Sequence, residues 1–347
     1  MSELKKPWVS FCMSTYMRPG FLKHTLHSIL QQTFTDFEVI VSDNDPQNSA
    51  EAVIAEINDP RIKYFSNGGN LGMIKSFNKS IERADATFIA MITDDDPVYP
   101  EMLQTLYDLY IQHPGYGVYH GGSDLICDTA LLAKTLNLKV GTNSCLSSDQ
   151  AIGEVATYSA DDFPHYFFKD KISKHLLWSV GVVKKEILLE IGGIPDYGSP
   201  YIGDFCYSVL TCSHSGVAII NTSLGCQVIH GANFGYAKYS DFESLYITPE
   251  GFNKWLFERM GKRSDWNLLQ EEIHTFVGRW MVSHCLLIRR YLTILKLPDA
   301  EFKKVVKRIY KIPYLRKWKW KYYIASHFPI LFRFLLELKS RYMGDRK

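Results

Sequence analysis

Three consecutive aspartates, Asp94, Asp95 and Asp96, follow directly on the mostly apolar run 88–93. Adjacent carboxylates repel one another, so folding alone gives little reason to place three of them at the end of a buried strand. Aspartates do favour helix N-termini through capping and the helix dipole, but one would serve the helix predicted at 100–112. The alternative is a site for a hard divalent cation such as Mg²⁺ or Mn²⁺, which takes carboxylate oxygens and accepts phosphate oxygens as further ligands.

The segments that would position this cluster alternate between strand-like and helix-like patterns. Strands are predicted at 8–14, 37–43, 61–67 and 87–93, and helices at 19–32, 50–57, 73–84 and 100–112. This alternation predicts βαβ units, and therefore an α/β fold with a mostly parallel sheet and helices on both faces.

Polar residues stand at the carboxyl ends of three of the predicted strands. These residues are Thr15, Asp43 and Asp94. Ligands of parallel α/β sheets bind outside the carboxyl ends of the strands. We therefore expect all three tips to point into one crevice.

The composition is that of an ordinary globular protein. The 347 residues can bury a sizeable core in one large domain or two, and 46% are hydrophobic and 22% charged. The seven cysteines include no C-x-x-C pair, which indicates reduced thiols in a reducing compartment. A strand-like run follows the first residues at once, so no signal peptide is predicted, and no apolar run is long enough to predict a membrane span. We expect a cytoplasmic protein.

The formal net charge of +2 conceals an acidic body and a basic end. Residues 302–347 contain fourteen Lys and Arg against two acids, a net of +12, which leaves −10 for the rest of the chain. Basic residues interleaved with aromatic ones are also found in nucleic-acid-binding proteins and on solvated helices. We favour docking to an anionic membrane surface, with Trp318, Trp320 and the apolar run 328–338 at the acyl boundary, and predict no nucleic-acid partner. The protein would then lie peripherally on the inner face of the cytoplasmic membrane.

Four motifs resemble a known family in their order and spacing. They lie in "VSFCMSTYMRPGFLKHTLHSILQQTFTDFEVIVSDNDP", "NGGNLGMIKSFNKSI" and "MITDDDPVYP". Together they resemble the nucleotide-binding half of family 2 glycosyltransferases, which have the GT-A fold. The resemblance is close over 7–113 and looser over 175–232. It implies a catalytic domain at 1–235, with nucleotide-binding and acceptor-binding halves at 7–113 and 114–235, and a helical region at 236–347.

The resemblance implies a set of residues that bind the nucleotide sugar. Thr15, Tyr16 and Arg18 occupy the loop that wraps the nucleotide in the family. Asp43 matches an acid that contacts the base or ribose, although a plain turn residue is the alternative. The same pocket would be lined by Asn67, Asn70 and Lys75.

The register within the three aspartates decides which one would hold a metal. The family commonly has Asp-x-Asp-Asp, and counting back from Pro100 puts Asp95 at the metal-binding position and Thr93 at that of the first Asp. Asp94 then resembles a ribose or metal contact. Asp96 is a neighbouring candidate ligand of uncertain role. His230 resembles a histidine that some relatives add to the metal or diphosphate site, with a structural histidine as the alternative.

Transfer by single displacement also needs a base that takes the proton from the acceptor hydroxyl. The family places an acidic pair ahead of a helix late in the domain, and Asp204 occupies that position. Gly203 stands where the family often has Glu, so one carboxylate is missing. A helix cap is the alternative role for Asp204, and both roles could hold together.

The tripeptide Gly278-Arg279-Trp280 resembles the end of a motif found in processive relatives. Phe276 stands at the position of that motif's glutamine, however. We therefore interpret these residues as helix core.

The sequence thus predicts an inverting glycosyltransferase that depends on Mn²⁺ or Mg²⁺. Its donor would be a UDP- or dTDP-sugar, and its acceptor a hydroxyl of a lipid-linked glycan in surface polysaccharide synthesis. Two alternatives stay open: a catalytically silent nucleotide-sugar-binding subunit, which the glycine at 203 favours, and a nucleotidyltransferase, for which Arg18 gives thin support.

Overall fold

The first part of the chain folds as the four strand–helix units that the sequence predicts. This computed structural model describes residues 6–172, 176–231, 233 and 241–331. Each boundary lies within two residues of the predicted one. The elements are β1 (Val9–Thr15), α1 (Pro19–Leu30), β2 (Phe37–Asp43), α2 (Glu51–Ile57), β3 (Ile62–Ser66), α3 (Met73–Arg83), β4 (Phe88–Thr93) and α4 (Met102–Gln112).

The second part adds shorter strands and then a run of helices. Its first elements are β5 (Val118–Cys127), α5 (Ala130–Leu136), β6 (Gly141–Ser144), β7 (Val155–Tyr158), α6 (Phe163–Phe168), β8 (Gly181–Lys184), α7 (Lys185–Glu190), α8 (Gly203–Ser215) and β9 (Val217–Ile229). The helices that follow in the described residues are α9 (Phe242–Met260), α10 (Trp266–Ile294), α11 (Ala300–Ile309) and α12 (Lys319–His327). Two 3₁₀ turns lie at Trp178–Val180 and Pro313–Trp318.

The nine strands of the described residues form one sheet, with the order β3-β2-β1-β4-β8-β5-β9-β7 and β6 paired to β5. Strand β1 runs parallel to β2 and β4, and β8 is antiparallel to both of its neighbours. Thr15 pairs with Asp43, and Ser14 pairs with Thr93. The polar tips of three strands therefore meet at one edge of the sheet, as predicted.

Apolar residues of both kinds of element bury the two faces of the sheet. One core contains Leu22 and Leu26 of α1 and Leu106 of α4. The other contains Phe77 of α3 and Phe252 of α9, together with many residues of α6–α8, α10 and α11. Because burial of apolar surface is the main stabilising force, the C-terminal helices are integral to the second core. The predicted boundary at 235 lies outside the described residues and stays a prediction.

Helix α10 joins the C-terminal segment, residues 302–331, to the rest of the protein. Gly278 lies under the indole of Trp318, and a Cβ at this glycine would stand 2.1 Å from Trp318 Nε1. The absence of a side chain at 278 therefore allows the 3₁₀ turn to pack directly on α10. Across the described ranges, no helix combines the length and the apolar character that crossing a bilayer requires. The part of the predicted membrane segment from 332 onward lies outside the described residues.

Candidate active site

A cleft of about 600 Å³ opens at the carboxyl ends of β1 and β4. One wall comes from the strand tips, including Thr15 and the three aspartates. The start of α8 contributes Gly203 and Asp204, and α10 contributes Trp280. The predicted donor and base residues thus reach the same cleft from parts of the chain far apart in sequence.

Asp94 is held by two donors, one from the last residue of β1 and one from the loop that follows β1. Thr15 Oγ1 donates to Asp94 Oδ2 at 2.8 Å, and Arg18 Nη1 donates to Oδ1 at 3.1 Å. Burial, followed by repulsion from Asp95, raises the pKa of Asp94 to about 6, although Arg18 and Thr15 act in the opposite direction. The loop and the acid are therefore linked, as expected for residues that share a ligand.

Asp95 lies where the loop after β1 meets the segment after β9. Its Oδ2 accepts from Arg18 Nη1 at 2.7 Å and lies 3.2 Å from His230 Nε2. Asn233 Nδ2 approaches the same oxygen at 3.4 Å. The His230 ring also stacks on Phe21, with ring centroids 4.3 Å apart. The structure therefore brings together Asp95 and His230, two residues predicted as metal ligands.

Asp96 turns away from this contact and ties β4 to β9. Its Oδ2 accepts from Thr93 Oγ1 at 2.8 Å, and its Oδ1 accepts from the Val228 backbone N–H at 3.0 Å. Burial and the charge of Asp95 raise the pKa of Asp96 to about 7. Because both oxygens are engaged, its geometry suits a residue that ties β4 to β9 better than one that binds a metal.

Asp43 reaches the sheet edge, but its carboxylate is completely buried. Oδ1 accepts from the Asp45 backbone N–H at 2.8 Å, and Oδ2 accepts from Tyr64 Oη at 3.0 Å. These bonds match the turn-residue alternative, and the neighbouring Asn44 lines the cleft instead. Nucleotide contact by Asp43 stays a prediction.

The remaining predicted donor residues separate into two groups. Tyr16, 43% exposed, and Asn70 line the cleft. Asn67 is bonded within the sheet edge, because its Nδ2 donates to Ser42 Oγ at 2.9 Å. Lys75 is exposed in the first turn of α3 and is not among the lining residues.

Asp204 stands in the first turn of α8 and faces the cleft. Its carboxylate is accessible from the cleft, but the protein around it desolvates the charge and raises its pKa above the ordinary range of an aspartate. The N–H of Phe205 donates to Oδ1 at 3.0 Å and partly opposes that shift. A Cβ at Gly203 would meet nothing within 4 Å, so the place of the missing carboxylate is open.

An aromatic wall opposite the strand tips was not predicted. Trp280 stacks on His284 with ring centroids 4.5 Å apart, and Tyr201 lies 4.8 Å from the same imidazole. All three line the cleft. The interpretation of 278–280 as helix core is confirmed for buried Gly278, whereas half-buried Trp280 packs against the core and also lines the cleft. The resemblance of this tripeptide to a family motif was the one signal that could have placed Trp280 in the site.

The donor atoms of the cleft can be compared with the needs of a divalent cation. Within the described part of the chain, no three His, Cys, Asp or Glu side chains form a ready ligand set. Asp95 and His230 nevertheless converge, and carboxylate oxygen and imidazole nitrogen both suit Mn²⁺. These residues fit an ion whose other ligands are phosphate oxygens and water.

Comparison with known proteins gives matches in sequence and in structure. The chain is 39% identical over 108 residues to an uncharacterized glycosyltransferase of Methanocaldococcus jannaschii, covering 30% of this chain and 37% of that protein. It is 32% identical over 103 residues to the GalNAc(5)-diNAcBac-PP-undecaprenol beta-1,3-glucosyltransferase of Campylobacter jejuni, covering 29% and 33%. The chain thus spans about a third of the length of these relatives.

The crystal structure of S. aureus TarS 1–349 in complex with UDP-GlcNAc superposes with a TM-score of 0.55 at 12% identity, over 92% of this chain and 93% of that one. This likeness confirms the predicted fold class, a mixed α/β sheet followed by helices. The family model described as "Glycosyl transferase family 2" matches residues 10–136. This match includes the strand tips and all three aspartates. Residues 10–136 are therefore similar to the glycosyl transferase family 2 domain.

Proposed function

We propose that the protein is an inverting glycosyltransferase that moves a sugar from a nucleoside diphosphate to a glycan hydroxyl. One observation carries the proposal: the acidic strand tips and Asp204 line the same cleft. A UDP- or dTDP-sugar is the donor we favour, and the superposed TarS structure contains UDP-GlcNAc.

The strand-tip side of the cleft would bind the donor. Tyr16 offers an exposed ring to the nucleobase, and Thr15 and Arg18 border the acids. Asp95 and His230 would hold Mn²⁺ or Mg²⁺, which when bound neutralises charge on the departing diphosphate.

Asp204 would act as the base. Its raised pKa makes it a stronger proton acceptor than an ordinary aspartate. It would take the acceptor proton while the hydroxyl oxygen attacks the anomeric carbon from the face opposite the diphosphate. The anomeric configuration then inverts. The aromatic wall of Tyr201 and Trp280 offers apolar faces against which an acceptor sugar can pack.

The acceptor that we favour is a glycan on a membrane lipid, for surface polysaccharide synthesis. The Campylobacter relative is named for an undecaprenol-linked acceptor. In the C-terminal segment, Trp320 and Tyr323 are each 54% exposed and Ile330 is 84% exposed. These side chains stand among lysines and arginines, a combination that suits an anionic membrane surface.

Vesicle co-sedimentation tests this docking. We expect Trp320→Ser/Tyr323→Ser to lose binding to vesicles that contain phosphatidylglycerol. The matched control is Phe257→Ser/Leu268→Ser, which alters two similarly exposed side chains outside this segment. Equal binding of both double variants would contradict docking through the C-terminal segment.

Transfer itself is tested with purified protein, Mn²⁺, a panel of sugar nucleotides and a lipid diphosphate-linked acceptor sugar. NMR of the product should show an inverted anomeric centre. Retention would exclude the scheme. Gly203 keeps a second candidate open, a silent nucleotide-sugar-binding subunit. Binding of the donor with neither hydrolysis nor transfer in this assay would favour it.

A further inference from the structure

The cleft contains far more acidic than basic groups. Four aspartates line it, Asp94, Asp95, Asp96 and Asp204, and Arg18 is the one Lys or Arg among its described lining residues. Like charges at short range repel strongly where water is partly excluded. A nucleoside diphosphate, itself an anion, therefore needs compensating positive charge before it can bind.

Arg18 is already engaged with the acids. Its Nη1 lies 3.1 Å from Asp94 Oδ1 and 2.7 Å from Asp95 Oδ2. The Arg18 side chain is 25% exposed, against 7% and 8% for the two aspartates. The guanidinium therefore covers the carboxylates from the solvent side.

A divalent ion and this guanidinium compete for the same oxygen. Asp95 Oδ2 accepts a hydrogen bond from Arg18 Nη1. The same oxygen faces His230, the second proposed metal ligand. An ion bound to Oδ2 would stand close to Nη1 at its present position, and the two positive charges would repel each other.

We propose that Arg18 is the internal counter-ion of Asp94 and Asp95, that the metal displaces it, and that it then contacts the donor's diphosphate. This inference rests on the proposed function. Arg18 acts here as a binding residue, since it exchanges one anionic partner for another. Loss of its charge should therefore change the affinities for metal and for nucleotide in opposite directions.

The test measures binding of Mn²⁺ alone, by the electron paramagnetic resonance signal of the unbound ion. In Arg18→Gln, which removes the charge, we expect Mn²⁺ to bind about fivefold or more tightly than in the parent. In saturating Mn²⁺ we expect UDP to bind about fivefold or more weakly, measured by calorimetry. If Arg18 only bound phosphate, Arg18→Gln would weaken UDP binding and leave the Mn²⁺ affinity unchanged.

Two further variants control for charge and for folding. Arg18→Lys keeps the charge and should bind Mn²⁺ like the parent. Arg61→Gln removes an arginine that pairs with Asp59 in the turn before β3, and should change neither affinity. Thermal unfolding in EDTA should show Arg18→Gln to be folded and less stable than the parent. Without EDTA, added Mn²⁺ should stabilise Arg18→Gln more strongly than the parent.

The outcomes separate this inference from the proposed function. Unchanged or weaker Mn²⁺ binding by Arg18→Gln, with a parent that binds Mn²⁺ and UDP, overturns the exchange and leaves the glycosyltransferase proposal intact. An unfolded Arg18→Gln together with an Arg18→Lys variant that binds Mn²⁺ more tightly than the parent would also overturn it. A parent that binds neither Mn²⁺ nor UDP overturns both proposals.

Discussion

The two sides of the cleft are built differently. On the strand-tip side every carboxylate is bonded to a named partner, such as Thr15 for Asp94 and Thr93 for Asp96. On the opposite side Asp204 accepts a bond from its own helix, and the wall is made of the rings of Tyr201 and Trp280. A fixed polar network suits one invariant diphosphate, whereas aromatic faces suit a less directional contact with sugars. We infer that donor and acceptor binding can be impaired separately.

The largest expected effect comes from the acceptor side. Asp204→Asn removes the proposed base and should lower kcat by about 10²–10⁴-fold, while UDP affinity in Mn²⁺ stays at the parent value. Steady-state kinetics and calorimetry measure the two quantities. Asp108→Asn alters an exposed aspartate of α4 and serves as the control. Full activity of Asp204→Asn would show that Asp204 is not the base.

The next effect separates two neighbouring aspartates. Asp95→Asn should weaken Mn²⁺ binding by about tenfold or more, because a carboxylate ligand is lost. Asp96→Asn should leave Mn²⁺ affinity close to that of the parent, since the amide can accept from the Val228 N–H and donate to Thr93 Oγ1. Titration of Mn²⁺ compares them. A larger loss in Asp96→Asn would reverse the assignment of the ligand.

The aromatic wall should affect the acceptor alone. Trp280→Ala should raise the acceptor KM by about tenfold through lost ring contact, with donor affinity unchanged. Trp280→Phe should restore most of the loss. If both variants instead weaken UDP binding equally, the aromatic wall belongs to the donor side. The proposed separation of donor and acceptor sides would then be wrong.

The smallest effect concerns pH. Only ionised Asp204 can accept a proton, so kcat/KM should fall as pH drops through its pKa, which desolvation has raised. Gly203→Glu adds a second carboxylate in open space, which should raise that pKa further and move the acidic limb up by as much as about one unit. Gly203→Gln is the uncharged control. An identical limb in all three proteins would mean that another group titrates.

The sequence could predict the strand-tip side because its residues are contiguous. Asp94, Asp95 and Asp96 follow a strand directly, so the end of β4 brings them to the sheet edge. It could not tell which tips face the cleft. Asp43 and Asn44 are adjacent, and tertiary contacts turn the carboxylate of Asp43 toward Tyr64 while Asn44 lines the cleft.

The acceptor side was harder to predict because it is assembled from distant segments. Asp204 was found through a family resemblance, and Trp280 was assigned to the core. On a helix, Gly278 and Trp280 lie about 200° apart, so the two residues belong to opposite faces. Periodicity predicts both faces of α10 as apolar, and only the tertiary fold shows that one packs on Trp318 and the other lines the cleft.

The excess of acids in the cleft also bears on the order and speed of ligand arrival. Over a screening length of about 8 Å at physiological salt, its field attracts divalent cations and repels sugar nucleotides. Added electrolyte should therefore slow the capture of Mn²⁺ and, in EDTA, accelerate the entry of the donor. Turnover would then follow a preferred sequence, in which the cation enters before the sugar nucleotide.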